Sequence, residues 1–341
     1  MTRPDLFVTL VPLLANWGGW FDFIEGGKMI LVTGATGYVG RRVVRKLAEE
    51  GESVRCLVRP SSDLSPFQGL EVETHVGDVK DLSSLRSACD GADSVVHLVA
   101  IIRERGENTF DRVNHLGTEN VVKAAVEAGV DRFVHLGAIG AGNDVRYPYL
   151  YSKWQGEQAV MSGGIPYVVL RSSIMFGRGD EFINALAAVV KLGPVTPIIG
   201  AGRTKFQPIF VEDVAVCISQ ALKDEGLLGR VTEIGGPEQL TYKEMVDLII
   251  STYGARRLKI RIPVFAIKPL MPMLGRLLPH PPITRAELDM INLDNLTELD
   301  SVEKSFGFKP RPLRDNMEYI LDMARWEAAA IALGFRPARR W

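Results

Sequence analysis

Three regularly spaced glycines carry the most specific chemistry in this sequence. Gly34, Gly37 and Gly40 follow the apolar run 29–32, which predicts a buried strand, and precede residues 41–50, which predict a helix. Glycine lets the backbone turn tightly against a pyrophosphate, and the helix N-terminus offers it free N–H groups and positive dipole charge. A plain turn would not need three glycines, so the stretch predicts a dinucleotide site. We assign the contacts to Gly34, Thr36, Gly37, Tyr38, Val39 and Gly40.

The end of the second predicted strand, residues 53–58, indicates which dinucleotide binds. An acidic residue about 20 positions after the glycines holds the ribose of NAD, whereas an arginine there accommodates the 2′-phosphate of NADP. Arg59 stands at this place, and positions 54–60 contain no acidic residue. Arg41 and Arg42 add positive charge at the helix start. We predict NADP(H) in preference to NAD(H); the alternative is a solvated arginine at a strand end.

Strands and helices alternate along the first half of the chain, which predicts an α/β fold with a doubly wound parallel sheet, the Rossmann arrangement, and a smaller C-terminal lobe. The predicted strands are residues 29–32, 53–58, 70–76, 93–99, 131–136 and 166–171. The predicted helices are residues 41–50, 81–88, 109–128 and 148–161. We divide the chain into a mobile extension (1–28), a Rossmann domain (29–180), a lobe with segments that return to the sheet (181–330) and a basic tail (331–341).

Composition excludes several classes of function. The net charge is −1 and no long basic block occurs, so no nucleic-acid partner is expected. The three cysteines are far apart, and no two histidines sit at helical spacing with an acid, so we expect a reducing, cytoplasmic setting and no metal site. The apolar run 6–24 is interrupted by proline and polar residues, so we do not expect it to span a membrane. It is a mobile extension, a surface anchor, or sequence upstream of a true start at Met29.

The Gly-x-x-Gly-x-x-Gly spacing resembles the extended and atypical branches of the short-chain dehydrogenase/reductase superfamily. Residues 149–157, Tyr-Leu-Tyr-Ser-Lys-Trp-Gln-Gly-Glu, also resemble these members. Tyr149 and Lys153 are four apart and share one helix face. The resemblance implies that Lys153 holds the nicotinamide ribose and lowers the pKa of Tyr149, which exchanges the proton that accompanies hydride transfer. The alternative is an aromatic and basic helix surface.

Further cofactor contacts follow from the same resemblance. Asp78 and Val79 lie where the superfamily's acidic–aliphatic pair meets the adenine. Val99 and Ala100 match the small-residue segment beside the nicotinamide ribose, and Ile174 is expected near the carboxamide.

One catalytic member is missing. The superfamily places a serine or threonine after the fifth strand, where it hydrogen-bonds the substrate. Here Gly137 or Ala138 occupies that place, and residues 120–150 contain neither residue type. Losing a positioned donor costs about 10²–10³ in rate, so the standard reaction is in doubt while the fold and cofactor site are not.

Residues 113–121, 170–180 and 199–215 narrow the resemblance to the complex I NDUFA-nine-like group. Its mitochondrial members bind NADPH as accessory subunits of a membrane quinone reductase. One hypothesis is therefore an accessory or assembly factor with little or no hydride transfer, peripheral to the inner membrane face. The other is an NAD(P)-dependent oxidoreductase or nucleotide-sugar epimerase/dehydratase that uses Tyr149 and Lys153 on an unknown small-molecule substrate.

The C-terminal lobe offers local predictions. Residues 206–211 predict a strand that returns to the sheet, Asp213 a cap for the following helix, and Thr241 with Glu244 a capping box. Residues 261–284 are apolar, carry six prolines and are interleaved with Lys268 and Arg276. This stretch is expected either on a membrane face or partner, or as a lid over the sheet edge. Residues 313–333 predict a helix.

Overall fold

The structure is a computed structural model that describes residues 28–338. The predicted extension, apart from Lys28, and the last three residues of the tail lie outside the described residues. The strands are β1 (Met29–Thr33), β2 (Ser53–Val58), β3 (Glu73–Val76), β4 (Ser94–His97), β5 (Arg132–Ala138), β6 (Tyr167–Ser172), β7 (Met175–Phe176), β8 (Val195–Ile199), β9 (Lys205–Phe206), β10 (Ile209–Phe210), β11 (Arg230–Ile234), β12 (Leu240–Thr241) and β13 (Leu258–Ile262). The α-helices are α1 (Gly40–Glu49), α2 (Leu82–Cys89), α3 (Leu116–Glu127), α4 (Pro148–Ser162), α5 (Phe182–Leu192), α6 (Val211–Ala221), α7 (Tyr242–Thr252), α8 (Val264–Ile267), α9 (Met271–Leu277), α10 (Arg285–Met290), α11 (Ser301–Phe306) and α12 (Arg325–Ala332).

Seven parallel strands form the main sheet in the order β3-β2-β1-β4-β5-β6-β11. The central strands are buried on both faces, as parallel strands under helices must be. Helices α1 and α6 pack on one face, and α2, α3 and α4 on the other. The prediction of a doubly wound α/β fold is confirmed, and the order reverses between β1 and β4, where such sheets bind ligands.

A third apolar cluster lies in the C-terminal lobe, where α5 and α7 pack together and β8 pairs with β13. The predicted returning strand, residues 206–211, is wrong. These residues form β9 and β10, which pair with β12 and β7 outside the main sheet. The two strands are separated by Gln207, whose fully buried side chain donates to the carbonyls of Gly236 and Glu298, and by Pro208, which has no N–H to pair. The strand that returns is β11.

Some element boundaries differ from the prediction. Strand β3 is shorter, and the third helix opens with a π-helical turn over Asp111–His115 before α3 begins. Residues 313–333 form two 3₁₀ turns and α12 rather than one helix; the Asn316 side chain donates to the Pro312 carbonyl there, and such local bonds compete with helix propagation. The Thr241–Glu244 capping box is confirmed, with both reciprocal bonds present. Within the described chain, no helix combines the length and apolar character needed to cross a membrane.

The prediction that Asp213 caps a helix is wrong, because α6 begins two residues earlier, at Val211. Its buried carboxylate instead accepts bonds from the Arg311 backbone N (2.7 Å) and guanidinium (2.7 and 3.0 Å). These charge-assisted bonds tie the C-terminal segment to α6.

We expect Asp213→Asn to lower the free energy of unfolding by about 2 kcal/mol, since it removes the negative charge of a buried carboxylate that accepts three hydrogen bonds from the half-exposed Arg311. Urea denaturation measures the change. Glu212→Gln is the matched control, because the neighbouring Glu212 is half-exposed and its pair with Arg42 spans 3.4 Å, so its loss should cost under about 0.5 kcal/mol. Equal effects of the two variants would contradict the assignment.

Candidate functional site

The glycine turn is closed by backbone packing that side chains would prevent. Gly34 has φ +74°, and a Cβ there would lie 3.0 Å from Val99 N. The Gly37 N–H donates to Gly34 O (2.9 Å). A Cβ on Gly40 would lie 2.6 Å from Ala35 O and closer still to Gly34 O. The turn therefore leaves room only for glycine, and it places the start of α1 beside the carboxyl end of β4, which is the cradle that a pyrophosphate requires.

The side chains of the other predicted turn residues, Thr36, Tyr38 and Val39, are buried to different extents. Thr36 is half-buried, and Val39 packs into the core under the sheet. The Tyr38 hydroxyl is buried without a hydrogen bond among the described residues, and a Cβ on Gly177 would lie 3.4 Å from it. Burial raises the pKa of Tyr38 well above its ordinary value. The Tyr38 side chain thus packs inward under the lobe, so that its backbone is what a cofactor can contact.

Arg42 and Arg59, both predicted to add positive charge at the cofactor site, differ in whether their side chains are free to bind an anion. Arg42 is committed, because its guanidinium donates to the carbonyls of Tyr38 (2.9 Å) and Arg178 and stacks on the Tyr38 ring. Arg59 is exposed just beyond β2, and its side chain makes no ion pair or hydrogen bond with residues 28–338. Its backbone N–H is fixed by Ser62 Oγ (3.0 Å). Arg59 is therefore the cation left for an anionic group at this edge.

The adenine-side residues lie just after β3. Val79 packs against α3, where a Cβ on Gly117 would lie 2.9 Å from Val79 Cγ2. Val79 O accepts a bond from Asn120 Nδ2 (3.0 Å). The Asp78 carboxylate accepts from Lys80 N (2.9 Å) and remains half-buried at the surface.

On the other side of the turn, Val99 and Ala100 follow β4 and are half-buried. The Asn114 side chain holds both backbone groups of the following residue, Ile101. Its Oδ1 accepts from Ile101 N (2.8 Å), and its Nδ2 donates to Ile101 O (3.0 Å). The predicted contacts therefore line one edge, formed by the carboxyl ends of β1, β2, β3 and β4.

Tyr149 and Lys153 lie on α4 above this edge. The Lys153 side chain is buried, its Nζ donates to Leu136 O (2.6 Å), and burial lowers its pKa to about 8. The half-buried Tyr149 ring meets Phe110 edge-on at 5.8 Å, and burial raises its pKa to about 12. This direction is opposite to the expected lowering by Lys153, because the ammonium is directed at the sheet.

The side chains of Glu157 and Arg171 occupy the space at Gly137 where the superfamily's hydroxyl would lie. A Cβ on Gly137 would overlap Glu157 Oε1 and would lie 3.2 Å from Arg171 Cγ. Glu157 is fully buried and pairs with the Arg171 guanidinium at 2.8 Å. A serine therefore has no room at Gly137 while this pair stands. Of the nearby hydroxyls, that of Ser173 donates to Gln207 O.

Three site features escaped the sequence reasoning. The rings of His97 and His135 stack with their centroids 5.3 Å apart and are fully buried near Lys153, and Thr33 Oγ1 bonds His97 Nδ1 (2.7 Å). Asn295 bonds Ile174 N (2.8 Å) and Ile139 O (3.3 Å), which joins the lobe to the strand ends of β5 and β6. The only signal for Thr33, His97 and His135 was polar residues inside apolar strands, and Asn295 lies in a loop and gave no signal.

The proline-rich stretch is pinned at its end against the loop after β4. Arg103 donates to Pro281 O (3.0 Å) and pairs with Glu287 (3.0 Å), while Arg105 donates to Pro279 O (3.0 Å). Residues 279–287 therefore cover part of this edge, as the lid alternative expected, whereas α8 and α9 project from the lobe.

Comparisons with known proteins agree with this geometry. The sequence model of the NAD dependent epimerase/dehydratase family matches residues 30–235. A mitochondrial NADH dehydrogenase [ubiquinone] 1 alpha subcomplex subunit 9 from Arabidopsis thaliana is 29% identical over 80% of this chain and 70% of its own. A ceramide reductase from Caulobacter vibrioides is 33% identical over 55% of this chain and 58% of its own.

The solved structure of gox2253 superposes with a TM-score of 0.72 at 25% identity, covering 86% of this chain and 97% of the other. The glycine cradle fits a nicotinamide dinucleotide, because a Cβ at Gly34 or Gly40 would fill it. The resemblance to atypical short-chain dehydrogenases with a nicotinamide cofactor is confirmed. The chain belongs to the NAD dependent epimerase/dehydratase family.

Proposed function

We propose that the protein binds NADP(H) at the carboxyl edge of the sheet and serves as an accessory or assembly factor of a membrane quinone-reductase complex, with little or no hydride transfer. The observation that carries the proposal is Gly137, whose side-chain space is taken by the Glu157–Arg171 pair. The name of the Arabidopsis relative, a subunit of a ubiquinone-reducing NADH dehydrogenase, supports the choice of partner.

The chain's own residues divide the cofactor among them. The turn Gly34–Gly40 and the N-terminus of α1 hold the pyrophosphate, and Arg59 holds the 2′-phosphate. Asp78 accepts from the adenine amine while Val79 packs on the ring. Lys153 donates to the nicotinamide ribose, and Val99, Ala100 and Ile174 surround the nicotinamide. When bound, the nicotinamide supplies the capacity to give or take a hydride.

Three features oppose proton transfer coupled to a hydride. No hydroxyl at Gly137 or Ala138 can hold a substrate oxygen, which costs about 10²–10³ in rate. Tyr149, with a pKa near 12, stays protonated at neutral pH and is a poor base. The Lys153 ammonium is bonded to Leu136 O instead of stabilising a tyrosinate.

A second candidate is an NAD(P)-dependent oxidoreductase or nucleotide-sugar epimerase/dehydratase. It is favoured by the position of Tyr149 and Lys153 four residues apart on α4, and by the Caulobacter relative, which is named a reductase. This function requires the Lys153 ammonium to lower the pKa of Tyr149 as well as to hold the nicotinamide ribose, whereas burial in this structure raises that pKa to about 12.

Turnover by the purified protein separates the two functions. We expect NADPH to bind but not to be consumed at a rate above about one thousandth of an ordinary enzyme's, with quinones, aldehydes, 3-oxoacyl chains and nucleotide sugars as substrates. Neither Tyr149→Phe nor the matched control Tyr151→Phe should then change the rate of NADPH consumption. Robust consumption that Tyr149→Phe abolishes and Tyr151→Phe preserves would establish the enzyme instead.

Arg59 sets the expected cofactor preference. Arg59→Ala should weaken NADPH binding by about 10- to 100-fold, the value of a hydrogen-bonded charge pair with phosphate, and leave NADH binding unchanged. Fluorescence titration with both dinucleotides measures this. Arg45→Ala, at an exposed position of α1, is the matched control. If NADPH and NADH lose affinity equally, Arg59 does not read the 2′-phosphate.

A further inference from the structure

Residues 256–285, here named the basic segment, carry seven cationic residues and no acidic one. The acid-free run extends from residue 248 to residue 286. Lys259, Lys268 and Arg285 pair with acids outside the segment, Asp247 and Asp289. Arg256, Arg261 and Arg276 are exposed and make no ion pair within residues 28–338. The segment therefore presents uncompensated positive charge to its surroundings.

The same segment exposes large apolar side chains. Phe265 is 79% exposed, Leu277 69%, Met273 53% and Leu270 48%. In α8 no residue is buried, and in α9 only Met271 is. Single exposed apolar residues are ordinary on proteins, but four within thirteen positions form a patch of the kind that marks a binding surface.

The backbone of the segment suits a surface that is contacted along its length. Pro269 and Pro272 divide residues 264–277 into α8, a 3₁₀ turn and α9. Each piece is too short to cross a bilayer, which needs about 20 apolar residues in one helix. Short helices with apolar tips and flanking cations lie in an interface instead.

The patch continues into the C-terminal end of the described chain. His280 N donates to Gly334 O (2.9 Å), and a Cβ on Gly334 would lie 3.0 Å from Leu278 Cδ1. Leu333 and Phe335, on either side of this contact, are 57% and 61% exposed. Residues 333–335 thus lie against residues 278–280 at the end of the basic segment, and we name the exposed apolar side chains of both stretches together the apolar face.

We infer that the apolar face and its arginines dock directly on the headgroup region of an anionic lipid bilayer. Phe265, Met273 and Leu277 would enter the boundary between headgroups and acyl chains, while Arg261 and Arg276 would lie among lipid phosphates. The inference deepens the proposed function and rests on it for the membrane setting, because it names the partner as lipid itself. It also places the lid residues 279–287, and so the cofactor edge, beside the membrane.

The charge of the basic segment favours a lipid surface over a protein as its partner. A protein interface admits arginine but balances its charges across the contact, and its core is depleted of charged residues as a class. Here the stretch 248–286 contains no acid, and Arg256, Arg261 and Arg276, unpaired within the described chain, keep their charge in the same stretch as the exposed apolar side chains, which is the composition of basic amphipathic segments that bind anionic membranes.

Vesicle flotation of the purified full chain tests the inference without any partner complex. We expect binding to vesicles of phosphatidylcholine and phosphatidylglycerol in equal parts, weak binding to phosphatidylcholine alone, and a decline with added salt. The pair Arg261→Glu and Arg276→Glu should reduce partitioning at least about 30-fold, and the pair Phe265→Ser and Leu277→Ser at least about tenfold.

Matched controls are Arg230→Glu and Val145→Ser, which change an exposed arginine and an exposed valine elsewhere and should leave binding unchanged. Circular dichroism confirms that each variant is folded. Three results would each overturn the inference. The wild type does not bind anionic vesicles, all variants bind them as the wild type does, or the wild type is a dimer in solution that the serine pair dissociates. NADPH affinity should be the same in all four variants, so failure here is distinct from failure of the cofactor site.

Discussion

Gly40→Ala should abolish measurable NADPH binding, a loss of at least about 100-fold, and lower the free energy of unfolding by about 3 kcal/mol. The new methyl group would lie 2.6 Å from Ala35 O and would overlap Gly34 O, neither of which is a flexible side chain. Either α1 moves away from the turn or the turn opens, and both displace the N–H groups that face the pyrophosphate. Fluorescence titration with NADPH and urea denaturation measure the two effects.

Gly142→Ala is the matched control, because the nearest atom to its new Cβ is 3.9 Å away and its φ is not positive. It should bind NADPH normally. A Gly40→Ala protein that is folded and binds as the wild type does would show that the glycine turn is not the cofactor cradle.

His135→Phe should flatten the loss of stability in acid. Burial holds the folded-state pKa of His135 well below 6.5. The unfolded chain therefore gains a proton as pH falls below about 6.5 and the folded chain does not, so stability is present above that pH and is lost below it, by up to about 1.4 kcal/mol per pH unit. Removing the imidazole removes this contribution. Between pH 6.5 and about 5 the variant should lose about 2 kcal/mol less than the wild type.

Comparison with the wild type cancels the opposing contribution of Asp180, whose pKa burial raises to about 7. At neutral pH the two proteins should differ by less than about 1 kcal/mol, because neither ring nitrogen of His135 has a hydrogen-bond partner among residues 28–338 that could be lost. Tyr167→Phe, on the neighbouring strand β6, is the control, since it removes a hydroxyl and leaves the imidazole of His135 in place. Parallel stability curves for wild type and His135→Phe would show that the imidazole is protonated in the folded protein.

The fold was predictable because its signals are local. Apolar runs of strand length alternate with helical periodicity from β1 to β6, and parallel sheets follow from that alternation. The cofactor edge was predictable for the same reason, since Gly34, Arg59 and Asp78 each stand just after a strand. The prediction put the returning strand at residues 206–211 because they have strand composition apart from Gln207 and Pro208, whereas the strand that returns is β11.

The interior of the site was not predictable. The Glu157–Arg171 pair fills the space beside Gly137 only because β5 and β6 align Gly137 with Arg171 and α4 brings Glu157 over them. The raised pKa of Tyr149 depends on burial, which one helix face does not reveal. Asn295 lies more than 100 residues from the strand ends that it joins. Each of these depends on register between distant segments, which periodicity does not specify.

The central claim is that the protein holds NADP(H) as part of a membrane complex and does not turn it over. The most direct measurement is native size fractionation of gently solubilised extract from cells that make it, with assay of the chain and of NADP(H) in the same fractions. We predict that the chain migrates with a large membrane complex that contains NADP(H), and that Gly40→Ala removes the nucleotide from that fraction. A small species apart from any membrane complex would contradict the account.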